Sequence, residues 1–251
     1  MVNGWKQSSL ALAVIALLAL PSMAFAKEKT QFGITGFGGY NTYKMTDLND
    51  EISILNTDLT TIGAKLDDVK HGIDLGGGLC AWVSKDFLVS AEYERLFAKT
   101  STDGNYLGTP YSLELKIPAN AISLSGGYYF PSPSKVRFGL GAGVGYYWTK
   151  ASISATVNGS PALSDSLNEI KGHGFGFHGV GLLDYAATPQ VHLGVQVGYR
   201  YAKTTELKDK GDNVIYKDDP VTLEATTDKM KADWSGLVAR GGITFLFGKS
   251  E

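Results

Sequence analysis

Apolar residues alternate with polar or small residues at a period of two in eight segments of the chain after residue 27. These segments are Gln31–Tyr43, His71–Val83, Phe87–Phe97, Ile117–Phe130, Val136–Trp148, His173–Ala186, Val191–Tyr201 and Trp234–Phe247. In Val191–Tyr201 the odd positions carry Val, Leu and Tyr, and the even positions carry His, Gly, Gln and Arg. Because successive side chains of a strand point to opposite faces, each segment predicts a strand with one bulky apolar face.

The connections between these segments alternate in length. The three short ones are Ser84–Asp86, Pro131–Lys135 and Thr188–Gln190. The four long ones are Lys44–Lys70, Ala98–Lys116, Thr149–Gly172 and Ala202–Asp233. This layout is typical of barrels of bacterial outer membranes, in which short turns face the periplasm and long loops face the outside.

A soluble antiparallel barrel also alternates its faces, but it buries the apolar face inside. An eight-stranded barrel encloses too little space for this many Val, Leu, Phe and Tyr side chains, so the bulky face must point toward lipid. The sequence therefore predicts an all-β fold, an eight-stranded antiparallel transmembrane β-barrel with a short amphipathic helix in the first long loop. Both ends of the barrel are expected on the periplasmic side.

The first 26 residues have the pattern of a removable export signal. Lys6 precedes the apolar run Leu10–Leu20, which is too short to cross a bilayer as a helix, and Ala24 and Ala26 provide small residues at the cleavage positions. We expect cleavage after Ala26. Residues 1–26 would then be a signal peptide, and residues 27–251 an outer-membrane barrel domain.

The last strand carries a second pattern. It reads polar, any, glycine, any, any, aromatic, any, aromatic, at Arg240, Gly242, Phe245 and Phe247. This resembles the C-terminal signal that the barrel-assembly machinery recognises in its clients, although four residues follow Phe247. Together with the architecture and the Gly-rich strands, it resembles the small outer-membrane barrel family, which includes the barrel domain of outer-membrane protein A and the opacity-type adhesins. The resemblance implies periplasmic chaperones and the assembly machinery as partners during biogenesis.

The polar faces of the strands place a set of charged side chains inside the predicted barrel. They are Asp74, Glu92, Glu94, Arg137, Asp184, Arg200 and Arg240, accompanied by His178, His192 and Gln196. Buried charges must be paired, and we predict that Arg137 and Asp184 pair near the periplasmic end. The set could form a structural plug or line a gated narrow pore. The plug is favoured because side chains just fill an eight-stranded barrel.

The other motifs in the sequence add no catalytic, cofactor or metal site to this prediction. Gly174–Gly179 fits G-x-G-x-x-G but lies within a predicted strand, so no dinucleotide site is expected. No histidine is followed two residues later by serine, the pair that lipid A deacylases of this size use, and we see no counterpart of the two acidic pairs of omptin proteases. Cys80 is the only cysteine, no metal or cofactor is expected, and the net charge of −2 argues against nucleic acid.

The first long loop contains an apolar stripe at helical spacing, formed by Leu48, Ile52, Leu55, Leu59 and Ile62. We expect Thr46 or Asp47 to cap the helix and Gly63 to end it. The helix could pack over the barrel mouth, or act as a mobile lid or a partner-binding element. Its acidic polar face argues against a helix that lies on lipid. In the other long loops Asp103–Gly104 and Asn158–Gly159 predict hairpin tips, and the fourth loop could form a β-ribbon.

These patterns predict a monomeric outer-membrane protein, surrounded by lipid and lipopolysaccharide, with a structural or surface-interaction role carried by its outer loops. The alternative is a narrow channel or transporter for small or hydrophobic solutes. A lipid-modifying outer-membrane enzyme is the minor alternative, and we expect no enzymatic activity.

Overall fold

The computed structural model describes residues 30–161, 170–218 and 225–247. The expected signal peptide and the four residues after Phe247 lie outside this part of the chain. The strands are β1 (Gln31–Thr42), β2 (His71–Trp82), β3 (Phe87–Phe97), β4 (Lys99–Tyr106), β5 (Thr109–Lys116), β6 (Ala119–Tyr129), β7 (Val136–Val157), β8 (Ser160–Pro161), β9 (Ile170–Ala186), β10 (Val191–Ala202), β11 (Leu207–Lys208), β12 (Tyr216–Asp218), β13 (Ala225–Lys229) and β14 (Gly236–Phe247). Helix α1 (Thr46–Leu59) continues into a 3₁₀ turn, Thr60–Ile62.

Eight antiparallel strands close into a ring in the order β1-β2-β3-β6-β7-β9-β10-β14. The ring closes where β14 pairs with β1, from Phe32 opposite Phe247 to Asn41 opposite Val238. These strands are the eight segments that the alternation predicts, so the predicted eight-stranded barrel is confirmed. No helix among the described residues is both long and apolar enough to cross a membrane.

The bulky faces of the ring point outward. Phe175, Leu79 and Phe138 expose 76%, 66% and 61% of their surface, whereas the opposite faces carry glycines and the charged residues of the interior. Aromatic side chains crowd the outer half of this face, where Tyr146 contacts Trp148, His173 and Phe175. A belt of aromatic rings of this kind marks the boundary between hydrocarbon and head groups.

One side of the barrel extends well beyond the ring. β7 runs 22 residues to Val157, and the hairpin β4–β5 pairs along its outer part, from Tyr111 opposite Val157 to Lys116 opposite Ser152. β9 and the short β11 continue the same sheet. We call the sheet β4-β5-β7-β9-β11 beyond the ring the outer wall. The sequence analysis left these residues in the long loops, although Ala151, Ile153, Ala155 and Val157 of β7 alternate with Ser and Thr there.

The hairpin tip of the second long loop lies four residues beyond the predicted position. Leu107 and Gly108 form the turn, with φ of 51° and 83°, whereas Asp103–Gly104 lies within β4. The pairing of β5 with β7 sets this register, and it places Leu115 in the buried core of the outer half. The second predicted tip is correct, because Asn158 and Gly159 have φ of 51° and 76°.

Candidate functional site

The end of the lumen beside the short turns, which the sequence predicts to face the periplasm, is closed by a cluster of three polar side chains. Arg137 donates from Nη2 and Nε to Asp184 Oδ2 at 2.7 and 3.2 Å, and His192 Nδ1 lies 3.0 Å from the same oxygen. The Arg137 guanidinium also stacks over the Trp82 ring at 4.2 Å and lies 5.2 Å from the Tyr129 ring centre. We call these five residues the basal cluster. The charges of Arg137 and Asp184 are therefore paired at close range, and the Trp82 and Tyr129 rings cover the guanidinium.

A second cluster of charges fills the barrel at mid-height. Glu94 binds Arg200 at 2.7 Å and also contacts Arg240 Nη2, while Arg240 Nε donates to Asp74 at 2.6 Å. The four side chains expose less than a tenth of their surface. We call Asp74, Glu94, Arg200 and Arg240 the central cluster. Two carboxylates balance two guanidiniums, so this buried cluster carries no net charge when all four groups are ionised.

Small residues on neighbouring strands make room for these long side chains. A Cβ atom added at Gly39 would lie 2.6 Å from Asp74 Oδ1 and 2.7 Å from Arg240 Cγ. Above Gly39, Asn41 accepts a hydrogen bond from Arg200 Nη2 at 3.2 Å. Sequence reasoning missed Asn41, although the alternation of β1 places it on the inner face together with Gly39. Trp234, whose carbonyl accepts from Arg200 Nε, was missed as well, although the predicted strand Trp234–Phe247 places it on the same face as Arg240.

The remaining predicted inner residues stand apart from both clusters. Glu92 accepts a hydrogen bond from Ser90 at 2.9 Å, and His178 Nε2 lies 3.1 Å from Ser125 Oγ. Glu92 and Gln196 line a small cavity of about 60 Å³ between the basal and central clusters. No group of three potential metal ligands occurs among the described residues. The described lumen therefore holds two compact charged clusters rather than a continuous charged path.

An apolar core closes the outer mouth above the central cluster. Met45, Leu66, Val69 and Trp234 are almost completely buried there, together with residues of the outer wall such as Leu115. They come mainly from the first and fourth long loops, which fold inward over the barrel. The ring alone offers little room for such a core, because side chains just fill an eight-stranded barrel. The outer wall provides the additional surface.

Helix α1 lies over this core in the position that its apolar stripe predicts. Ile52 is 2% exposed, Leu48 and Leu59 pack against the core, and Leu55 is 40% exposed. Ile62 is half-buried in the 3₁₀ turn, and Gly63 ends that turn with φ of 72°. The predicted side-chain cap is wrong. Met45 is the N-cap residue, in a left-handed conformation and without a side-chain cap.

The acidic residues of the first helical turn bind the fourth loop instead of the helix end. Asp47 accepts the backbone N–H of Lys231 at 3.0 Å and contacts Lys217 Nζ at 3.4 Å. Glu51 accepts the backbone N–H of Asp218 at 2.9 Å. Burial raises the pKa of the Glu51 carboxyl, and this hydrogen bond opposes the rise. These contacts hold α1 against the fourth loop, where the predicted ribbon consists of β11 and the short pair β12–β13.

An apolar cavity of about 280 Å³ lies between α1, the outer wall and the fourth loop. Its lining combines Leu48, Ile52 and Leu55 of the helix with Leu115, Ile117, Ala151, Ile153, Ile170, Leu207, Ile215 and Met230. Glu51, Asp218 and Lys231 are among its few charged neighbours. An engineered apolar cavity of ~150 Å³ suffices to bind benzene, so this space is large enough for a small apolar molecule.

Residues 10–226 match the family model described as "Outer membrane protein beta-barrel domain". The chain belongs to this family. As an outer-membrane barrel it lies in the bacterial outer membrane and in contact with its lipids. The residues of the terminal pattern take the expected places, since Phe245 and Phe247 are exposed on the outer face and Arg240 points inward.

Several solved outer-membrane proteins are similar to this chain at low sequence identity. A major outer membrane protein of Thermus thermophilus is 15% identical with a TM-score of 0.49, covering 88% of this chain and 100% of that one. OprG of Pseudomonas aeruginosa is 16% identical with a TM-score of 0.45, covering 88% and 95%. Neisserial surface protein A is 17% identical with a TM-score of 0.40, covering 88% and 100%. No curated protein matches the chain by sequence.

Proposed function

We propose that this outer-membrane barrel acts at the cell surface through its outer loops and does not conduct ions along its lumen. The observation that carries the proposal is the closure of the lumen at three levels. The basal cluster, the central cluster and the apolar core of the mouth follow one another along the barrel axis. What reaches the outside medium is the outer wall, α1 and the fourth loop.

The energetics of the two charged clusters support this proposal. An open path through the barrel would separate Arg200 from Glu94, or Arg137 from Asp184, inside a narrow interior. Leaving one buried charge without its partner costs about 3–5 kcal/mol, so a pore opened at both levels would be populated rarely. Both pairs are close, at 2.7 Å each, and both lie among aromatic or apolar side chains.

Planar-bilayer recording tests the proposal directly. The purified barrel should show no steady single-channel conductance, and the variant Glu92→Gln, which changes an inner carboxylate outside both clusters, should show none either. Tyr93→Phe, one residue away on the lipid face, is the matched control, because it should insert into the bilayer in the same way and leaves the lumen unchanged. A regular conductance in the wild-type protein whose ion selectivity changes in Glu92→Gln would overturn the proposal in favour of a channel.

The apolar cavity favours a second candidate, the uptake or binding of a small hydrophobic solute. Its lining is almost entirely aliphatic, and α1 and the fourth loop form one side of it. Leu48→Trp would fill part of the cavity, and Leu59→Trp on the same helix stripe is the control outside its lining. Binding of a fluorescent apolar dye, followed by titration, should be weakened by the first substitution only. Equal binding by both variants would exclude the cavity as the dye site.

A lipid-modifying enzyme is the function with least support. Ser125 and His178 are in hydrogen-bond distance, but both side chains point into the lumen, away from the lipid face on which a lipid substrate would lie. We therefore propose that the protein is not an enzyme. Incubation with lipid A, followed by mass spectrometry for lost acyl chains, tests this proposal.

A further inference from the structure

Glu92 on β3 is an inner carboxylate that belongs to neither the basal cluster nor the central cluster. Its hydrogen-bond partner is Ser90, whose hydroxyl donates to Glu92 Oε1 at 2.9 Å, and it forms no salt bridge with a residue that the structure describes. Arg240 borders the same cavity, but its guanidinium is bound to Asp74 and Glu94. Glu92 therefore carries the charge that the two clusters leave unbalanced.

The charges inside the ring show the same imbalance. Four carboxylates and three guanidiniums point into the part of the lumen that the structure describes, namely Asp74, Glu92, Glu94, Asp184, Arg137, Arg200 and Arg240. With the two lumen histidines neutral, this set has one negative charge in excess. A buried charge is stable only when it is paired or bound to a metal ion, so a further positive charge is needed close to Glu92.

The cavity of about 60 Å³ between the two clusters provides space for such a charge. Besides members of the clusters, its polar lining consists of Glu92 and four neutral side chains that carry oxygen, which are Thr35, Ser90, Gln196 and Thr244. These residues lie on β1, β3, β10 and β14, so the oxygens surround the cavity from several sides. A cavity needs only ~10–15 Å³ to hold one water molecule, and this one is therefore large enough for a small ion with a few waters.

The hydroxyl groups of this lining direct their protons at other oxygens. Ser90 donates to Glu92 at 2.9 Å. Thr244 Oγ1 donates to Thr35 Oγ1 at 3.2 Å, and Thr35 in turn donates to the carbonyl of Ile243 at 3.4 Å. A hydroxyl group has one proton and two lone pairs, so Ser90 and Thr244 keep lone pairs for a further partner. The neutral lining therefore offers the cavity acceptor oxygens, the groups that a cation binds.

We propose that this cavity binds a monovalent metal cation. The Glu92 carboxylate is its charged ligand, and the hydroxyls of Ser90 and Thr244 and the side-chain carbonyl of Gln196 are its neutral ligands. Hard cations bind oxygen ligands of this kind. A single positive charge balances the lumen, whereas Ca²⁺ or Mg²⁺ would leave an excess positive charge close to Arg240. The ion would join β3 to β10 and β14 across the lumen, and this stabilising role goes beyond the proposed surface function.

A proton on Glu92 is the competing way to balance the charge, because a protonated carboxyl needs no cation. The two explanations differ in what stabilises the folded barrel. A ligand that binds only the folded state stabilises that state in proportion to the logarithm of its concentration once the site is nearly full. The concentration of the cation should therefore matter in the first case, and the pH in the second.

Equilibrium urea unfolding of the whole barrel in detergent tests the proposal. NaCl is replaced stepwise by the chloride of N-methyl-D-glucamine, a cation too large for the cavity, at constant pH and ionic strength. Above the dissociation constant, the unfolding equilibrium constant of the wild type should fall about tenfold for each tenfold rise in Na⁺. Glu92→Gln should show no such dependence. Asp103→Asn, which removes an exposed carboxylate on β4, is the matched control and should respond as the wild type does.

Heat-modifiable gel mobility first establishes that each variant is folded. Thr244→Val keeps the carboxylate and removes one oxygen ligand, so its response should require a roughly tenfold higher Na⁺ concentration. An equal response to Na⁺ in the wild type and Glu92→Gln would overturn the proposal. A wild-type unfolding constant that follows pH but not Na⁺, with the pH dependence lost in Glu92→Gln, would show that Glu92 binds a proton instead. A stronger response to Ca²⁺ than to Na⁺ at equal concentration would overturn the choice of a monovalent ion.

Discussion

Arg137 and Asp184 lie directly opposite one another on β7 and β9, and their side chains meet inside the barrel at 2.7 Å. The alternation along the two strands already predicted that both point inward at a similar height. His192 and the ring of Trp82 complete the surroundings of this pair. The finding makes the basal cluster the best-defined place to measure how much a charge pair stabilises the closed lumen.

We expect Asp184→Asn to lower the free energy of unfolding by about 3 kcal/mol, because the Arg137 charge loses its carboxylate inside the barrel. Arg137→Met should cost less, since Asp184 keeps its contact with His192. The double variant should cost clearly less than the sum of the two. Urea unfolding in detergent measures all three, with Lys135→Met in the adjacent turn as the control. Strictly additive losses would show that the two residues do not interact energetically.

Glu94 should be the most sensitive residue of the central cluster. Glu94→Gln leaves Arg200 and Arg240 together in the lumen without their shared carboxylate, and we expect a loss of about 3–5 kcal/mol. Asp74→Asn should cost less, because Arg240 retains Glu94. The control is Glu92→Gln, which removes an inner carboxylate that binds Ser90. Equal effects of Glu92→Gln and Glu94→Gln in the same unfolding assay would contradict the ion pairing of Glu94.

The terminal aromatic residues should matter for assembly more than for stability. We predict that Phe245→Ala with Phe247→Ala slows insertion, so that the protein accumulates in the periplasm in a pulse-chase experiment. The matched control is Phe175→Ala with Phe177→Ala, which removes two exposed aromatic rings from the same lipid face away from the C-terminus. If both pairs slow insertion equally, the effect is general hydrophobicity and not a terminal signal.

The topology predicts where a protease can reach the protein in whole cells. Lys210 lies in an exposed turn of the fourth loop, next to Gly211 and Asp212. Trypsin added to intact cells should cut there, whereas Lys85 and Lys135, in the short turns, should be protected until the outer membrane is opened. Mass spectrometry of the fragments identifies the sites. Cutting at Lys85 in intact cells would place the short turns outside and invert the topology.

Helix α1 should detach from the fourth loop when its acidic contact is removed. Asp47→Asn weakens the hydrogen bond to the Lys231 N–H and the contact with Lys217. We expect amide hydrogen exchange across Leu48–Leu59 to become faster by about fivefold, in line with the loss of roughly 1 kcal/mol from one charge-assisted contact. Asp58→Asn, on the exposed face of the same helix, is the control and should leave exchange unchanged.

The amino-acid sequence by itself determined the features that depend on the two faces of each strand and on the lengths of the connections. The eight ring strands, the outward direction of Phe138 and Phe175, and the inward direction of the charged residues all follow from a period of two. The pairing of Arg137 with Asp184 could also be predicted, because one loop joins their strands and both lie close to a short turn. The stripe of α1 likewise follows from local spacing.

Only the tertiary structure decided which distant residues meet. Arg200 and Glu94 are 106 positions apart and bind across the lumen, a contact that depends on how far the closed barrel shifts its strands against one another. The outer wall and the tip at Leu107 arise from strand pairing beyond the ring, which depends on how β5 aligns with β7. The alternation of apolar and polar residues along one strand does not show which residues of other strands it will meet. Strand register and barrel closure are properties of the whole sheet.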